Sequence, residues 1–424
     1  VTPVAEPRSS LLLLGVTVVA MVAIPLFMYP GLEAFRYPKE LLLRAEAIIL
    51  AALGASWWVL GRLSIDRKAV LRKPWVLWML SVLAWSSLTT LTSSNRLVSL
   101  WTLTYIAAMS VVFVATVAAA KGRGPWLAAV PLLPGIVNVV VLLLQQNGGT
   151  VVELTSTDAR MRETALIGNP NDVGSYLMVV ALAATALTLS SRRWRWFAAP
   201  VALVLIGGTF VSATLTAIGA LLVGLTVLAA VRSWKLVVVA MALLALVVVM
   251  AVREVPSFQK RFGRAQAAFA AKDYDTLLSY RFTAFATAWT MAREHPLMGV
   301  GPGTYPWNYM EYRTKAEQRY PQIRRSGARE HMFGEAHNDH LQVLGQTGVP
   351  GYLLMAAGFV LCAMLSFRRG APANDTERFA RSIALPLAAA LAVLALAQFP
   401  LELTSVLHTA ATYAALALGW SGRS

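Results

Sequence analysis

Runs of about 20 apolar residues recur along almost the whole chain, each long enough to cross a hydrocarbon core as an α-helix. Such runs leave few folds open. In lipid every backbone N–H and C=O must bond within the protein, so a chain built this way spans as a bundle of helices. Composition agrees. Of the 424 residues, 57% are hydrophobic and 14% charged, too little charge for a soluble chain of this length. We place about twelve spans, at 10–30, 41–61, 75–93, 99–120, 125–145, 171–190, 196–210, 213–231, 234–252, 350–367, 382–399 and 403–420. The seventh and eighth divide one long stretch near "GGTFVSAT", where two glycines favour a tight hairpin. The first span follows "VTPVAEPRSS", shows no small-residue cleavage site and reads as retained.

A net charge of +16 is what a nucleic-acid binder carries, but its distribution excludes that class. The basic residues sit in alternate short loops: Arg62, Arg67, Lys68, Arg72 and Lys73, then Lys121 and Arg123, then Arg192, Arg193 and Arg195. Arg232 and Lys235 follow, and then Arg368, Arg369, Arg378 and Arg381. The opposite loops hold few, such as Arg36, Lys39 and Arg96. This positive-inside pattern predicts an even number of spans and both termini in the cytoplasm. Cys362 is the only cysteine, so no disulfide within the chain and no cysteine metal site can form.

Two external segments exceed plain turns, one near 146–170 and one near 253–349. They divide the chain into 1–252 with spans one to nine, a large loop at 253–349, and 350–424 with spans ten to twelve. In the large loop "DTLLSYRFTAFATAWTMAREH" has helical spacing, with Leu278, Phe282, Phe285 and Trp289 on one face. "PLMGVGPGTYP" breaks it. Its glycines lack the lysine and the strand-to-helix setting of a phosphate loop.

Polar chemistry gathers in these external segments. "EAHNDHLQ", Glu335 to Gln342, packs two histidines, two acids and an Asn beside an apolar run. His337, His340, Leu341 and Leu344 share one helical face, on a short helix ended by Gly348 and Pro350. Three readings stay open. His331, Glu335, His337 and His340 are all potential metal ligands, though not in the His-Glu-x-x-His order of a zinc protease. The histidines could bond only within the loop. An imidazole could also take a proton from a hydroxyl, tuned by Glu335 or Asp339.

Arg281 stands within the otherwise uncharged "SYRFTAFATAW" and needs an anionic partner. That partner is Asp273, Asp275, a lipid headgroup or a phosphate, which guanidinium matches in bidentate fashion. Arg160 and Arg162, in "TDARMRETALIGNPNDVG", form a second basic spot or pair with Asp158 and Glu163. Arg324, Arg325 and Arg329 read as a solvated run. Asn169, Pro170 and Asn171 make a turn and helix cap; the two amides could also bind a sugar.

His337, Asn338, Gly348 and Gly351 resemble the signature of the O-antigen ligase and polymerase superfamily. That signature is His, then Asn, Ser or Gln, nine residues, Gly, two residues, and Gly, Thr or Tyr. "RETALIGNPNDVGSYL" is similar to the family's Arg-plus-Asn-Pro-Asn segment. "YRFTAFATAWTMAREHPLMGVGPGTY" is similar to its Arg…Trp…Pro-x-x-Gly-x-Gly segment. The resemblance covers roughly residues 150 to 360. It implies an all-α integral membrane protein of the C-type glycosyltransferase architecture, with a large helical periplasmic loop. It further implies a multi-pass place in the bacterial inner membrane with the active site facing the periplasm.

The activity so implied moves a glycan from undecaprenyl diphosphate to a hydroxyl of lipid A-core, another glycan or a protein. His337 is then the base, Arg281 binds the diphosphate, and Arg162 or Arg160 assists. Asn338, His340, Glu335, Asn169 and Asn171 would touch the acceptor or support the base. Arginine can neutralise the leaving diphosphate without a metal, so neither metal nor cofactor is expected. One feature departs from the family. Its members often open the span after the hairpin with Arg, and "FVSATLTAIG" has none, so Arg160 or Arg162 replaces it or the donor is held differently. A transporter or flippase is the competing class. It would place ionisable groups at the bilayer midplane, where this chain has few, Glu46 and Glu402 lying near span ends.

Overall fold

A computed structural model describes residues 8–29, 34–60, 70–120, 123, 125–149, 163–232, 235, 253, 256–271, 273, 276, 278, 281–321, 323, 332–368 and 370–421. Among them the secondary structure is helical, without strands. In chain order the helices are α1 (Arg8–Leu26), α2 (Arg36–Val59), α3 (Pro74–Leu91), α4 (Arg96–Ala120), α5 (Trp126–Ala129) and α6 (Leu132–Gln146). They continue with α7 (Pro170–Ser190), α8 (Arg195–Val211), α9 (Leu215–Arg232), α10 (Pro256–Ala270), α11 (Phe282–Glu294) and α12 (Tyr305–Arg319). α13 (Asp339–Met364), α14 (Asp375–Leu394) and α15 (Thr404–Ser421) complete the described set.

Helices overlap every expected span except the ninth, 234–252, which lies outside the described residues. Seven helical segments among the described residues are long and apolar enough to cross a membrane by length and composition. They are Arg36–Val59, Pro74–Leu91, Arg96–Ala120, Trp126–Gln146, Pro170–Ser190, Leu215–Arg232 and Asp339–Phe367. Leu11–Leu26 and Arg195–Val211 are apolar but shorter.

The bundle is built around α7, which is buried along almost its whole length, including Val173, Tyr176, Leu177, Val180 and Leu187. A helix apolar on all sides needs neighbours on all sides. Residues of α6, α8, α9, α14 and α15 pack around it in one core. Peripheral helices instead expose large apolar side chains, such as Ile48 on α2, Leu97 on α4, Leu203 on α8 and Val360 on α13. In a bilayer that outer surface meets lipid rather than water. Inside the bundle Glu46 of α2 meets His408 of α15 at 3.1 Å, both buried. α2 begins five residues before the expected span, so Glu46 sits well inside the helix and not near its end.

The hairpin between α8 and α9 turns where the long apolar stretch was expected to divide, but not at its glycines. Gly207 and Gly208 stay helical in α8. The chain reverses through Ser212, Ala213 and Thr214, with Ala213 at φ 51°. Gly208 serves packing instead, since a Cβ there would stand 2.4 Å from Val139 of α6.

α11 shows a similar exchange of roles. Its buried residues are small apart from Met291, and include Ala284, Ala288 and Ala292, while Trp289 is exposed and Phe282 and Phe285 are half-buried. The reason is close approach: a Cβ on Gly345 of α13 would lie 3.0 Å from the Ala288 carbonyl oxygen. Alanines and Met291 face that approach, and the bulky aromatic stripe turns outward.

The "GVGPG" segment is a strap pressed between helices. Val300 N donates to Gly345 O at 3.0 Å and Gly301 N to Gln346 O at 2.9 Å. Ser94 N donates to Val300 O at 3.0 Å. Gly299, Gly301 and Gly303 all have positive φ, and a Cβ on Gly299 would meet the Gln346 backbone at 2.2 Å. Gly348, in α13, breaks helical geometry at φ 70°, as expected for the end of a short helix. The segment beyond it continues as the same element. A Cβ on Gly348 would stand 2.1 Å from Leu297 O. A Cβ on Gly351 would crowd Thr347 Oγ1 as closely, with Trp85 Nε1 at 3.2 Å. The motif glycines therefore let α13 press against the strap and α3.

Candidate active site

The ends of α2, α7, α11 and α13 converge on the loop 395–403 between α14 and α15. Asn338 caps α13. Its Oδ1 accepts from Leu341 N at 2.9 Å, and its Nδ2 donates to Leu396 O at 3.0 Å. Asp339 N donates to Ala395 O at 2.9 Å, and its carboxylate accepts from Leu401 N at 2.9 Å. Gln342 Oε1 accepts from Ala336 N at 2.7 Å, and its Nε2 donates to Glu402 at 2.8 Å. His340 Nε2 lies 3.0 Å from Ala392 O. Asn338, Asp339 and Gln342 thus tie the segment to this loop, His340 ties it to α14, and Glu335 ties it to Arg36.

His337 is the exception. It stands one residue before the cap rather than on the helix, with φ 52°, a conformation rare outside glycine. Its ring lies edge-on to Phe399 at 4.9 Å and to Phe333 at 5.9 Å. Nδ1 is buried with no hydrogen-bond partner. Burial, and then the charges of Arg281 and Arg36, push its pKa down to about 3. The imidazole is therefore neutral at pH 7 and can accept a proton.

Arg281 holds the N-terminal cap position of α11. One of its five guanidinium N–H groups donates to Ala397 O at 2.8 Å. No described carboxylate ion-pairs with it; Asp275 lies outside the described residues. Burial alone lowers its pKa. A half-buried guanidinium in this state retains donors for an anion.

Arg36, read from the sequence only as a loop charge, completes the set. Its guanidinium ion-pairs with Glu335, lies 4.0 Å from Asp172 and sits over the Phe399 ring at 4.8 Å. Beside it Lys39 is buried and donates to Phe27 O at 2.5 Å and Leu166 O at 2.6 Å. The signal was present in the charge pattern, because Arg36 and Lys39 are among the few cations on the side that the positive-inside rule leaves poor in them.

The remaining expected residues divide plainly. Asn169 caps α7, its Oδ1 accepting from Asn171 N at 2.8 Å and Asp172 N at 3.1 Å. Asn171 is half-buried in the first turn beside it. Arg160 and Arg162 lie outside the described residues, as do His331, Arg324, Arg325 and Arg329. Among the described residues no group of three or more His, Cys, Asp or Glu side chains is placed to hold a metal ion.

The arrangement joins a neutral imidazole, two guanidinium groups and a wall of carboxylates at one end of a bundle of apolar helices. No curated protein matches the chain. Residues 200–356 match the family model described as O-antigen ligase, a segment that includes Arg281, His337, Asn338, Gly348 and Gly351. By that match the chain carries an O-antigen ligase-type domain over residues 200–356, within a helical protein whose apolar helices suit a multi-pass membrane protein.

Proposed function

We propose that the protein is a glycosyltransferase that moves a glycan from undecaprenyl diphosphate to a hydroxyl of lipid A-core at the periplasmic face of the inner membrane. The observation that carries this reading is His337, a neutral imidazole with an unpartnered nitrogen, held within electrostatic reach of both Arg281 and Arg36. The arginines receive the diphosphate of the donor. His337 takes the proton of the acceptor hydroxyl as its oxygen attacks the anomeric carbon. The bond from that carbon to the phosphate oxygen breaks, and the charge left on undecaprenyl diphosphate falls to the guanidinium groups. Arg36 fills the role that the family gives to an arginine missing from "FVSATLTAIG", with Arg160 or Arg162 assisting from the neighbouring loop. No metal is required for this chemistry.

The topology that goes with this reading has twelve spans, both termini in the cytoplasm and the segment 253–349 outside. The test is an assay of the purified protein with undecaprenyl-diphosphate glycan and lipid A-core as separate components. Glycan appearing on lipid A-core supports the ligase. Longer lipid-linked glycan would make the protein a polymerase, and glycan on added protein would make it a protein glycosyltransferase. Movement of the donor across vesicles without transfer would make it a transporter and overturn the proposal.

A further inference from the structure

A cavity of about 200 Å³ opens beside the motif, lined by α2, α4, the start of α12, the residues before His337, the first turns of α13 and Glu402. Neither Arg281 nor Arg36 lines it. Its wall contains three carboxylates, Glu40, Glu335 and Glu402, against one cation, Arg44. Each carboxylate is already oriented: Glu40 by Arg44 at 2.9 Å, Glu335 by Arg36 and Glu402 by Gln342 at 2.8 Å. The Arg44 guanidinium is stacked over Trp101 at 4.0 Å, leaving the indole 43% exposed. Gln346 also lines the cavity. It is 5% exposed, and its Nε2 is buried with no partner.

We infer that this cavity binds the terminal sugar ring of the acceptor, presenting a hydroxyl of that ring to His337. The inference rests on the transferase reading above. Oriented carboxylates accept hydrogen bonds from hydroxyls, and the free amide of Gln346 must donate to an oxygen. Arg44 and Tyr37 cover the indole in part, and its exposed remainder offers apolar surface to the C–H side of a sugar. The volume falls below the roughly 300–1,000 Å³ of sites for drug-sized ligands, which suits one ring and not an oligosaccharide.

The first sugar of the donor has the same chemistry, but charge separates the two. That sugar is bonded to a diphosphate, which Arg281 and Arg36 attract, and neither arginine lines the cavity. Glu335 lines the cavity two residues before His337, which itself lies outside the lining.

The test uses the full chain in nanodiscs and the variants Gln346→Leu and Trp101→Ala. The indole is exposed, so Trp101→Ala tests the cavity even where Gln346→Leu fails to fold. Each variant is expected to raise the KM for lipid A-core about 10-fold, the loss of one good contact, with the donor KM unchanged. A rise in the donor KM alone, or no change in either, overturns the inference. A second arm measures saturation-transfer NMR of methyl glucoside and methyl galactoside against the protein without donor. Signal from wild type that both variants lose supports the cavity, even if no glycan is ever transferred and the transferase reading falls. Transfer by wild type with equal sugar signals from all three proteins overturns the cavity and leaves the transferase reading standing.

Discussion

The guanidinium of Arg36 ion-pairs with Glu335 across 299 positions of sequence, two residues before His337. The pair ties the start of α2 to the motif and brings a second cation beside the base. Asp172, at 4.0 Å from the same guanidinium, adds the start of α7. Removing Arg36 leaves two carboxylates, one of them buried, without their counter-charge. Arg36→Ala should therefore lower both transfer and stability. A charge-assisted hydrogen bond contributes about 1.5–3 kcal/mol, so transfer should fall about 10- to 100-fold. A double-mutant cycle with Glu335→Gln checks the coupling; strict additivity of the two losses would show that the pair does not act as a unit.

On the proposed function His337 makes two separable contributions, one chemical and one conformational. Loss of a general base costs about 10²- to 10⁴-fold, so His337→Ala and His337→Gly should both abolish measurable transfer while still inserting. The backbone separates them. At φ 52° alanine carries a penalty of about 1–2 kcal/mol that glycine escapes. His337→Gly should therefore melt above His337→Ala. A higher melting temperature for the alanine variant would mean that the left-handed conformation is not held in solution.

The signature glycines can be tested by contrast with a glycine in open space. Gly348→Ala meets a positive φ and a backbone oxygen, Leu297 O, at 2.1 Å. Neither obstacle can rotate away, so a loss of about 2–4 kcal/mol is expected. Gly351→Ala meets a side-chain oxygen, Thr347 Oγ1, which can turn aside, and should lose less. Gly54→Ala on α2 meets nothing within 4 Å and should be neutral or stabilising by up to about 1 kcal/mol. Thermal melts in one detergent rank the three; the reverse order would sink the packing account of the motif.

These positions also show what the sequence could and could not reveal. Apolar runs and the 3.6-residue period are local, so the helices were legible, and so was the break at Gly348. The hairpin was legible in place but not in cause, because Gly208 responds to Val139, about 70 positions away and on another helix. The outward turn of Trp289 was hidden for the same reason, since Gly345 decides which face of α11 can be buried. His337 could be singled out by its spacing to Gly351, whereas its left-handed backbone and its isolation from hydrogen bonds could not. Arg36 was visible only as an irregularity in the charge pattern, because its meaning depends on a contact made by folding.

The last prediction concerns pH. In the free protein burial comes first, and then the charges of Arg281 and Arg36, in holding the pKa of His337 down at about 3. A base with a lowered pKa is neutral above that value, so the free site needs no deprotonation near neutrality. Stability follows the same linkage with the opposite reading. An unfolded chain protonates this His near its ordinary 6.5, so the contribution of His337 to folding is lost progressively as pH falls from that value toward 3. On the proposed function a bound diphosphate cancels the two guanidinium charges while burial remains. The pKa in the donor complex must then rise above its free value. Since kcat/KM reports the free enzyme and kcat the complex, the acid limb of kcat should lie at higher pH than that of kcat/KM. Arg281→Gln, which removes one repelling charge, should move the free-enzyme limb upward. Rate profiles carried from about pH 8 down to about pH 2 measure both limbs. Coincident limbs, or a free-enzyme limb unmoved by Arg281→Gln, would place the arginines too far from His337 to tune it.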